Sequence, residues 1–206
     1  MEIKAENPIG LLRGGDYAAL IAAYFELCHL KQLYRQGWLR RGVPRERCES
    51  IAEHSFGVAV LALWLAQARP ELNADKVLRM ALLHDLGEVY AGDIIPGDGM
   101  SEEEKHRREA EAVQQILSRL PGGQEYIQLW DEFEAGDSAE ARFVRQLDRL
   151  EMGLQAAVYQ GQGLINGGEF FASARQALDD PGLAALLSEV QSAIHPPQAT
   201  KEEQND

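Results

Sequence analysis

Cysteine is scarce in this chain: Cys28 and Cys48 are the two present among 206 residues. They form neither a CxxC pair nor a zinc-type spacing, which excludes a disulfide scaffold and points to reduced thiols in the cytoplasm. Positive charge is also in short supply. Lys+Arg number 20 against 33 Asp+Glu, a formal net charge of −13, which argues against a coat for DNA or RNA. The same balance argues against docking on anionic lipid. It leaves room for a small phosphate ester, provided that something cationic sits in the site. No apolar run reaches the ~18 residues that a membrane span needs. The opening MEIKAENPIG has no basic segment followed by an apolar one, so no secretory leader is expected. Strand-like alternation and internal repeats are lacking as well.

Helical spacing, by contrast, is present throughout. Leu20, Ala23, Tyr24, Leu27 and Leu30 share one face and predict a helix over Asp16–Leu33. Gly37 is expected to break the chain into an arginine-rich loop ending at Glu49. Ser50 with Glu53 has the spacing of a capping box and opens a helix to about Gln67, stopped by Arg69-Pro70. Asn73 caps a helix expected to end near Leu86, and Gly87 and Gly92 bracket its end. Ser101 with Glu104 has the capping-box spacing again and opens a helix to Leu120. Further helices are expected over Gln124–Glu134 and Ser138–Tyr159, with one or two more ending at Ile194. The fold class is therefore all-α, a single domain over residues 1–195 with a polar, proline-led tail at 196–206.

Polar residues on faces that should be buried carry the chemistry. His54 lies four residues before Val58 on the Val58–Leu61–Leu65 face. Val77, Ala81 and His84 share a face of the next helix, and Asp85 follows His84. Burying an unpaired carboxylate costs several kcal/mol, so this placement calls for a cation. Glu88 stands one turn beyond His84, and Asp93 follows the turn at Gly92. Asp148 falls among Val144, Leu147 and Met152, where a surface ion pair with Arg145 or Arg149 competes with an inward role. Two imidazoles and two carboxylates from three helices form a ligand set for a divalent metal: Mn²⁺, Co²⁺, Fe²⁺, Ni²⁺, Zn²⁺ or Mg²⁺.

The segments ESIAEHSFGVAVLALWLA, ALLHDLGEVYAGDIIPGD, EEEKHRREAEAV and AEARFVRQLDRLEM are similar to the HD phosphohydrolase superfamily. The closest likeness is to the small HD-domain 5′-deoxynucleotidases, over about Tyr34 to Tyr159. That resemblance implies an HD-domain helical bundle with metal held by His54, His84, Asp85 and Asp148. It implies catalytic roles for Glu88 and Asp93, which in some relatives help to hold a second metal. It also implies a deoxyribonucleoside 5′-monophosphate substrate and a homodimer. Arg41 and Lys105 match the pattern of phosphate contacts. Gly37 stands where some members place a phosphate-contacting arginine before the tryptophan, here Trp38, and the Val43–Glu49 loop is slightly longer than usual. Trp38 is a candidate to stack on base or sugar, with local packing as the alternative. Arg40 and Arg108 are further candidate clamps, equally readable as solvated charge.

Other readings remain at this stage. The same fold could hydrolyse cyclic nucleotides, alarmones or dNTPs. A di-iron oxygenase would need more inward histidines than His29, His106 and His195 offer. A non-enzymatic bundle stapled by metal would leave Glu88 and Asp93 without a use.

Overall fold

A computed structural model describes residues 1–12, 17–95 and 97–194. Asp16, His195 and the expected tail at 196–206 lie outside the described residues. Helices run in the order α1 (Ala19–Leu27), α2 (Gln36–Arg40), α3 (Ile51–Ala66), α4 (Ala74–Leu83) and α5 (Glu88–Ala91). They continue as α6 (Glu102–Leu117), α7 (Gly123–Ala135), α8 (Ala139–Gly161), α9 (Gly168–Ala177) and α10 (Pro181–Ala193). No strand occurs among the described residues, and only two isolated bridges, Ile3 with Leu33 and Tyr34 with Ser50, pair extended backbone.

Local chemistry sets most boundaries. Ser50 accepts from the Glu53 N–H while the Glu53 carboxylate accepts from the Ser50 N–H, a complete capping box at the start of α3. At α6 only half of that device forms. Ser101 accepts from the Glu104 N–H, but the Glu104 carboxylate turns to Arg107 and Arg108. Asn73, Ser138 and Asp180 cap α4, α8 and α10 with side-chain oxygens.

Two expectations need correction. Gly37 does not break the chain; it lies inside the short helix α2, where the Trp38 side chain is buried and holds the turn. The helix after Asn73 ends at Leu83 rather than Leu86, with His84 as its C-cap, and a separate turn, α5, follows. That break frees His84, Asp85 and Glu88 from one continuous helical register. The expected helix over Asp16–Leu33 is α1 followed by a tighter 3₁₀ turn, Cys28–Lys31.

Two apolar clusters make the core. One joins α3, α4 and α8 with α9 and α10 through Val58, Met80, Ala81, Leu147, Leu150 and Leu187. The other joins α1, α5, α6 and α7 through Leu33, Ile51, Val89, Ile116 and Trp130. Truncating one of these fully buried leucines to alanine costs about 2–5 kcal/mol. On α3, Ile51 belongs to the second cluster and Val58 to the first. His54 lies between them, at the seam of the two clusters.

Candidate metal centre and flanking cavities

Three helical segments converge on His54, which is fully buried on α3. Its Nε2 lies 3.0 Å from Asp148 Oδ1 and 3.7 Å from Asp85 Oδ2. The second imidazole, His84, stands edge-on to the first with ring centroids 5.5 Å apart, and its Nε2 lies 3.2 Å from Asp85 Oδ2. His84 donates from Nδ1 to the Ala81 carbonyl at 2.8 Å. The Trp130 indole N–H donates to the His84 carbonyl at 3.2 Å. A ring that donates from Nδ1 presents a bare Nε2.

The donor set fits a cation. Nε2 of His54, Nε2 of His84 and Oδ2 of Asp85 are all buried without a hydrogen-bond partner. Ligand atoms from these three residues lie within 4.8 Å of one another. Buried polar atoms are normally paired, so three orphans facing each other mark a place for a positive ion. Asp148 completes the group through His54; its distance to the Arg149 guanidinium is longer, 3.7 Å. Asp148 thus lies nearer to His54 than to Arg149 and contacts both.

Charge in the site is strongly biased. Burial pushes the Asp85 carboxyl up, but His84, His54 and Arg35 outweigh it and hold it well below the usual carboxylate range. Asp148 is likewise held low, by His54 and His84 against burial. Burial and Arg35 oppose a charge on His54, yet Asp148 and Glu151 raise it to about 10. Glu88 goes the other way. Burial, then Asp85 and Asp93, push its carboxyl well above the ordinary value.

Two cavities flank this centre. One, of ≈ 410 Å³, is lined by His84, Asp85, Glu88, Lys105, Asp148 and Arg149. The other, of ≈ 340 Å³, is lined by Arg35, Trp38, Arg40, Arg41, Asp93, Arg149, Met152 and Phe170 among other residues. Arg149 borders both. Gly92 at φ 80 turns the chain between α5 and Asp93, a left-handed conformation suited to glycine, and delivers Asp93 to the second cavity. There Asp93 accepts from the Gln36 N–H and from Arg35 Nη1, the latter at 3.4 Å.

Among the sequence-derived candidates, His54, His84, Asp85 and Asp148 come together, and Glu88 joins them at the first cavity. Asp93 lies near enough to Glu88 to help raise its carboxyl, but the two share no ligand group among the described residues, where the groups are His54–His84–Asp85 and Glu49–His54–Glu151. Lys105 reaches the first cavity, 3.6 Å from Glu109. Arg41 is exposed and donates from Nε to Glu169 at 2.9 Å. Arg40 lines the second cavity and pairs with Asp98, and Arg108 pairs with Glu104 on the solvent face.

Trp38 is 2% exposed. Its ring packs at 4.0 Å from Phe170 and edge-on to Tyr159, and its N–H donates to Glu49 at 2.6 Å. It is a wall of the second cavity, with local packing occupying its ring. His29 donates from Nδ1 to the Val89 carbonyl, and His106 stacks on Trp130 beside Glu134; neither reaches the centre.

Sequence reasoning missed Glu151, Arg35, Arg149 and Phe170. Glu151 had a legible signal: it follows Asp148 by three residues on the same face of α8. Arg35 had none, because backbone pairing of Tyr34 with Ser50 decides where it points.

An all-helical bundle with buried histidine and aspartate ligands at a helix seam is the architecture of the HD domain. A profile described as HD domain matches residues 27–184, and the chain belongs to this family. The chain is 41% identical over 167 residues to the 5'-deoxynucleotidase HDDC2 of Homo sapiens, covering 79% of this chain and 80% of that one. It is 38% identical over 196 residues to the protein of the same name from Mus musculus, covering 93% and 96%. Among solved structures, a conserved hypothetical protein from Pyrococcus furiosus superposes with TM-score 0.71 at 29% identity, over 84% of this chain and 99% of that one. A Magnetospirillum magnetotacticum protein described as a predicted metal-dependent phosphohydrolase superposes with TM-score 0.64 at 28% identity, over 85% and 91%.

Proposed function

We propose that this protein is a metal-dependent 5′-deoxyribonucleotidase, a single HD domain that releases phosphate from deoxyribonucleoside 5′-monophosphates. One observation carries the reading: three orphaned ligand atoms, from His54, His84 and Asp85, converge beside a cavity that also holds Glu88. The relatives named 5'-deoxynucleotidase support the substrate class.

In this reading His54, His84, Asp85 and Asp148 hold a divalent cation. When bound, that ion polarises a phosphoryl oxygen and acidifies a water molecule. Glu88 holds a proton readily, because burial and its acidic neighbours disfavour its charged form. It can therefore orient water and take up the proton that water loses. Arg149 and Lys105 bring positive charge to the same cavity for the phosphate oxygens. The adjoining cavity takes the nucleoside against Phe170 and Met152. Asp93, whose carboxylate is held by Arg35 and the Gln36 N–H, can orient a water molecule at the phosphate, and the leaving 5′-oxygen can take back the proton that Glu88 gains from the attacking water.

The same reading makes the protein a homodimer in the cytoplasm. Phe56 and Trp64, 69% and 68% exposed on α3, give a second copy an apolar face to cover. The free thiols Cys28 and Cys48 suit a reducing compartment.

The test is purified protein loaded with Mn²⁺ or Co²⁺ and offered a panel of ribo- and deoxyribonucleoside monophosphates, cyclic nucleotides and dNTPs. Phosphate release from the deoxyribonucleoside 5′-monophosphates is expected to dominate. Metal-loaded protein that releases none from any of them would overturn the nucleotidase reading. Metal binding without hydrolysis of any compound would favour the stapled bundle instead.

A further inference from the structure

The imidazole of His54 is gripped at both nitrogens by one helix. Asp148 and Glu151, one turn apart on α8, face Nε2 and Nδ1 respectively, at 3.0 and 2.5 Å. The Nδ1 contact is buried. Glu151 accepts there and Nδ1 donates, so that nitrogen keeps its proton on the side away from Asp85, and Nε2, facing Asp85 and Asp148, is the nitrogen left to take a cation. Rotating the ring by half a turn would break this bond and put Cε1 where Nε2 faces the cation.

A second observation points to the same carboxylate. Gly57 lies in the interior of α3, where glycine costs roughly 0.5–1 kcal/mol relative to alanine. A Cβ at that position would stand 2.6 Å from Glu151 Oε1, 3.0 Å from its Cγ and 3.1 Å from its Cδ. Only a residue without a side chain lets Glu151 reach over α3 to the ring. Gly57 follows His54 by three residues, so the gap and the ligand sit on adjacent turns of one face.

The two imidazoles are held differently. His84 donates to a neutral backbone carbonyl of its own helix. His54 donates to a carboxylate from another helix, which makes its Nε2 the more basic ligand.

We infer that Glu151 is a positioning residue for His54, fixing the orientation and proton placement of that ligand, and that Gly57 is the space it requires. The inference rests on the metal reading of the site.

The test has two arms. The first is NMR of metal-free protein, following the His54 Nδ1 proton. A strongly downfield resonance is expected in the wild type, retained in Glu151→Gln, whose amide oxygen still accepts, and lost in Glu151→Ala. The second is Mn²⁺ affinity by calorimetry, with melting temperature as the control for folding. Glu151→Ala is expected to weaken binding about 10–100-fold and Glu151→Gln by less. Gly57→Ala, which displaces the carboxylate, should reproduce the Glu151→Ala loss. The double variant should be no weaker than Glu151→Ala alone, because both changes remove one interaction.

Wild-type Mn²⁺ affinity in folded Glu151→Ala would overturn the role, as would additive losses in the double variant. If Glu151→Ala does not fold, Gly57→Ala and Glu151→Gln decide the question by the same affinities. The resonance is read without metal. Its persistence in Glu151→Ala, or its disappearance in folded Glu151→Gln, overturns the positioning role even in a protein that binds Mn²⁺. A Glu151-dependent resonance in a wild type without Mn²⁺ affinity overturns the metal reading, and the role with it.

Discussion

Arg35 and Asp93 lie 58 residues apart in the chain, yet Arg35 Nη1 stands 3.4 Å from Asp93 Oδ1. The Gln36 N–H binds the other oxygen of the same carboxylate. Asp93 is thus held by the start of α2 while it faces the second cavity. Asp93 also helps to keep Arg35 charged: burial opposes the guanidinium, but Asp93, Asp85 and Glu88 more than offset it and raise its pKa above the usual value.

Asp93→Asn keeps the shape of that side chain and removes its negative charge. It is expected to bind Mn²⁺ normally and to lower kcat about 10²–10⁴-fold. Glu88→Ala should behave the same way. Arg35→Ala should lower kcat by loosening Asp93, and Arg35→Lys, which keeps a positive charge for its single contact with Asp93 Oδ1, should lower it less. Calorimetry with Mn²⁺ alongside released-phosphate assays checks all four; wild-type turnover in any of them removes that residue from the mechanism.

Metal occupancy should be visible as stability. A ligand that binds only the folded state at 100 times its Kd stabilises by about 2.7 kcal/mol. Mn²⁺ at such excess should raise the Tm of the wild type, and EDTA should reverse the rise. Asp85→Ala and His54→Ala should show no rise. An equal rise in either variant would place the ion elsewhere.

The second cavity should govern affinity for the nucleoside part of the substrate. Phe170→Ala removes an apolar wall at the cavity beside Asp93. It is expected to raise KM for deoxyribonucleoside monophosphates about 10-fold and leave the KM of a small phosphate ester such as p-nitrophenyl phosphate within about twofold, since one lost apolar contact is worth roughly 1–3 kcal/mol. Equal effects on both substrates would put the nucleoside elsewhere.

Glu109 gives a pH signature. It is buried beside Lys105, and burial pushes its carboxyl up to about 7 from an ordinary 4.5, against the opposing pull of Lys105. A carboxyl whose folded pKa is raised contributes stability that is fully present below about 4.5 and lost as pH rises through 7. Glu109→Gln lacks this dependence. Its stability relative to the wild type should therefore grow by about 1–3 kcal/mol between pH 5 and pH 8, measured by urea unfolding in EDTA. A constant difference across that range would rule the linkage out.

Much of the helical plan was legible because caps and periodicity are local. Ser50–Glu53, Asn73 and Ser138 each start a helix through atoms within three residues. The stop at Leu83 was not legible, because the apolar run through Leu86 continues the pattern past the break. Gly37 misled for the same reason: its freedom is real, but Trp38 packed among Tyr159 and Phe170 holds the turn helical.

By itself the sequence put His54 and His84 on helix faces that periodicity assigns to the interior, while Asp85 came in as the neighbour of His84 and Asp148 stayed open between the site and a surface ion pair until the family resemblance completed the set. It also determined the all-α class, since helical spacing is a property of each segment alone. Only the tertiary structure decided which cations face the site. Arg108 pairs with Glu104, while Arg35, Arg40, Arg41 and Arg149 line the second cavity, Arg40 and Arg41 in pairs with Asp98 and Glu169. It alone set Glu151 against the far nitrogen of His54, across 97 residues. Helix periodicity says which way a side chain points; which residue it meets depends on how α3 packs on α8, and no spacing within one segment encodes that.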